Sequence, residues 1–271
     1  GFVMFGQHAF NTPKTKLFYW KDKALEHDYN YLTKVIGVKP LDLVFQEEVW
    51  AGGGTFGPCI EYFAKGLELG NCVFMQFKEK ENGTFEELKT KVIDMGAGLE
   101  RLAWYTQGTP TSYDVTFAPL VKELKKEMNI QLDEKLFSRY ARASGLLNVE
   151  EQDIKEKREA VARQLGVKPG ELFDQLKPLQ ALYATLDHLK TILYTTTDGQ
   201  LPSNAGGGYN LRLILRRVFG FAEELNIEWD YARMLNGHAR MLKGYDESVQ
   251  ESVSTAIDVV QEEEKKYKKK I

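Results

Sequence analysis

The sequence predicts an α+β chain, with an antiparallel sheet in residues 1–110 and an all-helical part in residues 111–271. Three observations predict it. Short, apolar, β-prone runs recur up to Gly108. Asn82-Gly83 is a hairpin signal between two such runs. Beyond Gly108-Thr109-Pro110 the apolar spacing changes to the helical period and mostly keeps it. A chain of 271 residues with 43% hydrophobic content can bury two modest cores.

Phe2–Phe5 reads as a short strand. Lys21–Ile36 has helical spacing, with Ala24, Leu25, Tyr29, Leu32, Val35 and Ile36 on one face, and Gly37 and Pro40 close it. Leu41–Phe45 and Val49–Trp50 read as strand and are followed by a glycine loop from Gly52 to Gly57. Asn71–Phe77 is apolar enough for a buried central strand. Glu79–Glu86 is its hairpin turn, and Thr90–Asp94 is the return strand, broken by Gly96 and Gly98. Leu99–Thr106 reads as helix. Further helices are expected at Phe117–Met128, Lys135–Gly145, Ile154–Leu165, Leu186–Thr197, Asn210–Leu225, Tyr231–Gly244 and Glu247–Lys270, with Gly166, Gly170, Pro178 and Gly199–Pro202 between them. The charge-dense end, QEEEKKYKKK, reads as a solvated helix.

Composition removes several functions. A net charge of −3 means that a nucleic-acid partner must meet a local basic patch. Cys59, Cys72 and four scattered histidines (His8, His27, His188, His238) build neither a disulfide framework nor a four-ligand zinc site. The two thiols read as reduced and partly buried, in a cytosolic protein. No apolar run approaches membrane-spanning length, and the start is not signal-like. GFVMFGQHAF opens in mid-pattern and reads as a cut end.

Three clusters offer chemistry. Gly52, Gly54 and Gly57 satisfy G-x-G-x-x-G, with Pro58 at a possible first helical position. A dinucleotide turn would need a βαβ setting that the chain before it lacks, so the wall of an amino-acid or nucleotide pocket is favoured. Asp94–Arg101 (DMGAGLER) places a carboxylate at a strand end, glycines that clear space, and an arginine in the first helical turn. Such a carboxylate can pair with an ammonium group, and such an arginine can grip phosphate. For a lone Asp or Arg a strand–helix turn with one internal salt bridge is the plainer reading, but the combined pattern favours a site. In Pro202–Arg217 the glycines precede a helix on which Arg212, Arg216 and, less directly, Arg217 line one side, a local basic face suited to phosphate. His188 reads as a packed helical histidine and Tyr209 as a core residue.

IDMGAGLER followed by LAW resembles motif 3 of class II aminoacyl-tRNA synthetases. VWAGGGTFGPCIEYF, NCVFMQF, ENGTFEEL, TQGTPTSYDV and TTTDGQLPSNAGGGYNLRLILRRVF resemble, in family order, segments of alanyl-tRNA synthetases. The resemblance runs nearly from end to end. It implies a partial class II antiparallel sheet in 1–110, from the end of motif 2 through motif 3, and a helical domain in 111–271 that recognises the tRNA acceptor stem. By the same resemblance Asp94 binds the alanine ammonium, and Trp50, Asn71, Val73 and Gly96 form the small pocket around it. Arg101 lies against ATP phosphate, with Gly98 beside it. Asn204 reads the G·U wobble pair, and Arg212, Arg216 and Arg217 meet phosphates. The implied activity is ATP-dependent activation of alanine and transfer to alanine tRNA, with ATP and Mg²⁺ as cofactors of the intact enzyme, cytoplasmic location and no membrane partner; zinc is not expected in this fragment. A pocket defined by size rejects glycine and serine poorly.

GFVMFGQHAFN resembles only the second strand of motif 2. Neither the motif 2 arginine nor motif 1 is found, so the isolated fragment is expected to be inactive. The alternatives are a non-catalytic RNA-binding paralogue and an NAD-binding protein.

Overall fold

The computed structural model describes residues 1–15, 17–147 and 153–269. Its contacts divide into two compact units, Phe2–Thr116 and Phe117–Ile271, the latter with Gly1.

The first unit is built on strands β1 (Met4–Asn11), β2 (Leu43–Gly52), β3 (Thr55–Ala64), β4 (Leu67–Glu79) and β5 (Phe85–Gly98), with helices α1 (Lys21–Asn30), α2 (Leu99–Gln107) and α3 (Tyr113–Thr116). The sheet order is β1-β5-β4-β3-β2 and every pair is antiparallel. The apolar NCVFMQF run lies in the central strand, with Cys72 and Phe74 buried on the core face and Val73 buried on the other. Ala9, Ile93, Phe74, Met95, Cys72 and Tyr62 join Ala24 and Leu32 in one core cluster on one face.

Three expectations change here, and the dinucleotide alternative falls. The helical face of Lys21–Ile36 does not hold throughout: Tyr29 and Val35 are exposed. Tyr31–Val35 is a π turn, whose wider winding rotates Val35 off the core-facing stripe, whereas Tyr29 lies before that turn, in α1. β2 is continuous from Leu43, and Leu41 stands outside it in a 3-10 turn. Gly52–Gly57 is no dinucleotide loop: Gly53 and Gly54 take positive φ in the turn that joins β2 to β3, and Pro58 is a strand residue. The antiparallel pairing excludes the Rossmann reading. Finally, Gly96 and Gly98 do not break β5. Gly96 pairs with Gly6 on one side and Asn71 on the other, so ladder bonds on both flanks outweigh the weak strand preference of glycine.

The second unit contains α4 (Ala118–Glu127), α5 (Glu134–Ala143), α6 (Ile154–Leu165), α7 (Pro169–Thr197), α8 (Gly206–Leu225), α9 (Tyr231–Leu242) and α10 (Ser248–Lys268). Lys270, the expected end of the last helix, lies outside the described residues. α7 runs 29 residues straight through Pro178 instead of starting near Leu186. Leu172, Leu176, Leu179, Leu182, Leu186, Leu189 and Leu193 are all buried along it. At roughly 1.5–3 kcal/mol for each buried leucine, this stripe overrides a proline cost of about 3 kcal/mol. α7 packs against α4, α6, α8, α9 and α10. α8 begins at Gly206, so the glycines lie inside its first turn. Gly208 is needed there: a Cβ would meet Ser203 Oγ at 2.2 Å and the Leu201 carbonyl at 2.7 Å. The segment carrying Asn204 thus folds back on the helix start. No helix among the described residues is long and apolar enough to cross a membrane.

Candidate functional site

The face of the sheet away from the core cluster collects most of the residues expected to act on a small substrate. Antiparallel partners point to the same side, so the register orders them in rows. One row is His8, Asp94, Val73, Cys59 and Glu48; the next is Gly6, Gly96, Asn71, Glu61 and Gln46. Asp94, Val73, Asn71 and Gly96 are therefore neighbours on central strands. Asp94 does not stand alone: His8 Nε2 lies 2.9 Å from its Oδ1. Met4 Sδ lies over Gly96, 2.9 Å from where a Cβ would be.

Trp50 shares this face, two positions along β2 from Glu48, but its indole leans over Gly52 at the hairpin. Arg101, in the first turn of α2, runs its side chain past Gly98 at 3.4 Å from a Cβ position there. Its Nη1 bridges to Glu68 Oε2 at 3.1 Å. Glu100 is turned elsewhere and accepts the Val3 backbone N–H at 3.0 and 3.1 Å. His8 and Glu68 were missed from the sequence. Each is recognised only once the register or the fold sets it against Asp94 or Arg101.

In the helical unit, Asn204, Arg212 and Arg216 line one cleft of about 270 Å³, together with Phe219, Glu263, Lys266 and Tyr267. Arg217 is exposed and does not line it. Arg212 is already engaged: Nε and Nη2 donate to Glu263 at 2.7 and 3.0 Å, and Nη1 donates to Asn204 Oδ1. Burial favours the acid form of Glu263, but hydrogen bonds from Arg212 and Lys266 outweigh it and hold the carboxyl below its usual range. Among the described residues no group of three His, Cys, Asp or Glu side chains could hold a metal ion.

The family described as tRNA synthetases class II (A) matches residues 1–271. The chain belongs to that family. Among curated relatives, the alanine–tRNA ligase of Methanocella arvoryzae is 41% identical over 268 residues, covering 98% of this chain and 30% of that protein. That of Nitrosopumilus maritimus is 40% identical over 242 residues, covering 89% and 27%. That of Pyrococcus furiosus is 35% identical over 280 residues, covering 98% and 30%. The synthetase chain thus spans about 30% of the length of the relatives that it matches. Asp94, on β5, and Arg101, in the first turn of α2, both belong to the segment that resembles motif 3 and lie in the same unit.

Proposed function

We propose that this chain supplies the amino-acid pocket, one ATP grip and the acceptor-stem surface of an alanine–tRNA ligase. The observation that carries the reading is the row of His8, Asp94 and Val73 beside Gly96 and Asn71, with Arg101 beside Gly98 on the same unit. The Asp94 carboxylate takes the alanine ammonium in place of His8, giving a charge-assisted bond. Val73 meets the methyl group, Gly96 leaves bare backbone beside it, and Trp50 closes the pocket if its indole swings in from Gly52. Arg101 grips ATP phosphate after leaving Glu68; an exposed bridge of this kind is worth only about 0–1 kcal/mol, so the exchange costs little. Mg²⁺ would be held chiefly by the nucleotide's own phosphates and would supply neutralisation of their charge. In the helical unit, Asn204 reads the G·U pair of alanine tRNA, while Arg212, Arg216 and Arg217 meet phosphates. The protein works in the cytoplasm.

The test is ATP–pyrophosphate exchange by the full-length gene product. Asp94→Asn should raise KM for alanine about tenfold or more, the worth of a charge-assisted bond of roughly 1.5 kcal/mol, and leave KM for ATP nearly unchanged. An unchanged KM for alanine rejects the assignment. The 271 residues by themselves should give no exchange, because Arg101 alone does not neutralise the transition-state charge.

A further inference from the structure

Among the buried hydrophobic residues of the five strands, Cys59 and Val73 alone, of those described, stand outside the core cluster. They are 2% and 4% exposed. They are direct partners across β3 and β4, and their row continues to Asp94 and His8 on one side and to Glu48 on the other. Partners in such a ladder have Cβ atoms about 4.5–5.5 Å apart. Val73 therefore has Asp94 as its neighbour on one side and Cys59 on the other.

Trp50 does not take that place, since its indole lies over Gly52. An amino acid whose ammonium is held by Asp94 has two directions along this row for its side chain. Towards β1 it meets the polar ring of His8, and towards β3 it meets the isopropyl group of Val73 and then the thiol. An apolar side chain belongs on the second path. The thiol stays neutral there: burial first, then the carboxylates of Glu61, Glu48 and Glu68, push it up to about 11.

We propose that Cys59 forms, with Val73, the floor against which the substrate side chain rests, and that its sulfur sets how long that side chain can be. This makes Cys59 a specificity-determining residue, and it rests on the amino-acid reading of the Asp94 face.

The experiment compares ATP–pyrophosphate exchange with alanine and with 2-aminobutyrate, one methylene longer, in the full-length gene product. Wild type is measured beside Cys59→Ala, Cys59→Ser and Cys59→Val. Cys59→Ala should raise the ratio of kcat/KM for 2-aminobutyrate over alanine about tenfold, because one methylene in such a pocket is worth roughly 10–200-fold. Cys59→Val should lower kcat/KM for alanine with KM for ATP unchanged, and Cys59→Ser should keep the wild-type ratio. A ratio within twofold of wild type for Cys59→Ala, with alanine use undiminished in Cys59→Val, overturns the proposal. If Cys59→Ala fails to fold, Cys59→Val decides: unchanged alanine use overturns it, and a selective loss of alanine use supports it. A wild type that exchanges with ATP and a different amino acid, but not with alanine, overturns the alanine reading and this proposal with it.

Discussion

Asp94 and His8 form a pair that sequence separation hides. They are 2.9 Å apart, with side chains 39% and 55% exposed. A pair so open to water contributes about 0–1 kcal/mol, so it can compete with a substrate ammonium by no more than about fivefold. His8→Gln should therefore lower KM for alanine up to fivefold in the exchange assay, with KM for ATP unchanged. A rise in KM for alanine would mean that His8 supports the substrate instead of competing with it. Asp94 was legible because a carboxylate, glycines and an arginine crowd into DMGAGLER. His8 was not, because a strand sequence does not state its register, and one step of slip would have put His8 on the core face. Glu68 and Glu263 are hidden because their arginine partners meet them only through the tertiary fold. Nothing near Arg101 or Arg212 in sequence names a partner 33 or 51 residues away.

At the scale of elements, α8 and α10 are joined through the Arg212–Glu263 fork, whose side chains are 17% and 8% exposed. The spacing of Arg212 and Arg216 promised a basic face, and the shared cleft brings both to it. What the spacing did not foretell is that Arg212 also ties two helices. Arg212→Ala should then lower stability by about 1–3 kcal/mol by leaving a carboxylate poorly paired, and any loss of RNA binding would be mixed with that defect. Arg216→Ala tests the proposed phosphate contact without breaking the fork. It should weaken binding of acceptor-stem duplexes with G·U and with G·C about equally, flatten the salt dependence and leave the melting temperature unchanged. Asn204→Ala should instead narrow the gap between the two duplexes by roughly 1–3 kcal/mol on the preferred one. Equal effects of Asn204→Ala on both stems would reduce Asn204 to an acceptor for Arg212. Element ends were the least legible feature. Pro178 and Gly96 are local breakers by propensity, but the leucine stripe of α7 and the two-sided ladder of β5 carry the chain past them.

The two units of the molecule carry buried titratable groups that respond to acid in opposite senses. In the sheet unit, burial raises Asp28 to about 6 from 3.8, and its Oδ2 has no hydrogen-bond partner among the described residues. The folded unit thus holds a proton that the unfolded chain releases, so its stability falls as pH rises from about 4 to 6. Glu26 and Glu87 are lowered by lysine partners, but both are fully exposed and water screens the effect. In the helical unit, burial first, and then the charge of Lys190, depresses His238 to about 4 from 6.5. Its ring packs edge-on against Phe117. Here the unfolded chain takes up the proton, so stability rises with pH from about 4 to 6.5. Glu263 acts in the same direction, because its lowered carboxyl contributes stability that is lost in acid. Two melting transitions should therefore move apart or cross between pH 4 and 6.5, the helical unit gaining while the sheet unit loses. Differential scanning calorimetry across this range tests it, with two variants to assign the peaks. Asp28→Asn should remove the pH dependence of one transition, and His238→Gln should flatten that of the other. A single transition that climbs steadily from pH 4 to 6.5, unchanged in slope by Asp28→Asn, would show that the buried carboxyl does not titrate near 6 in the folded protein.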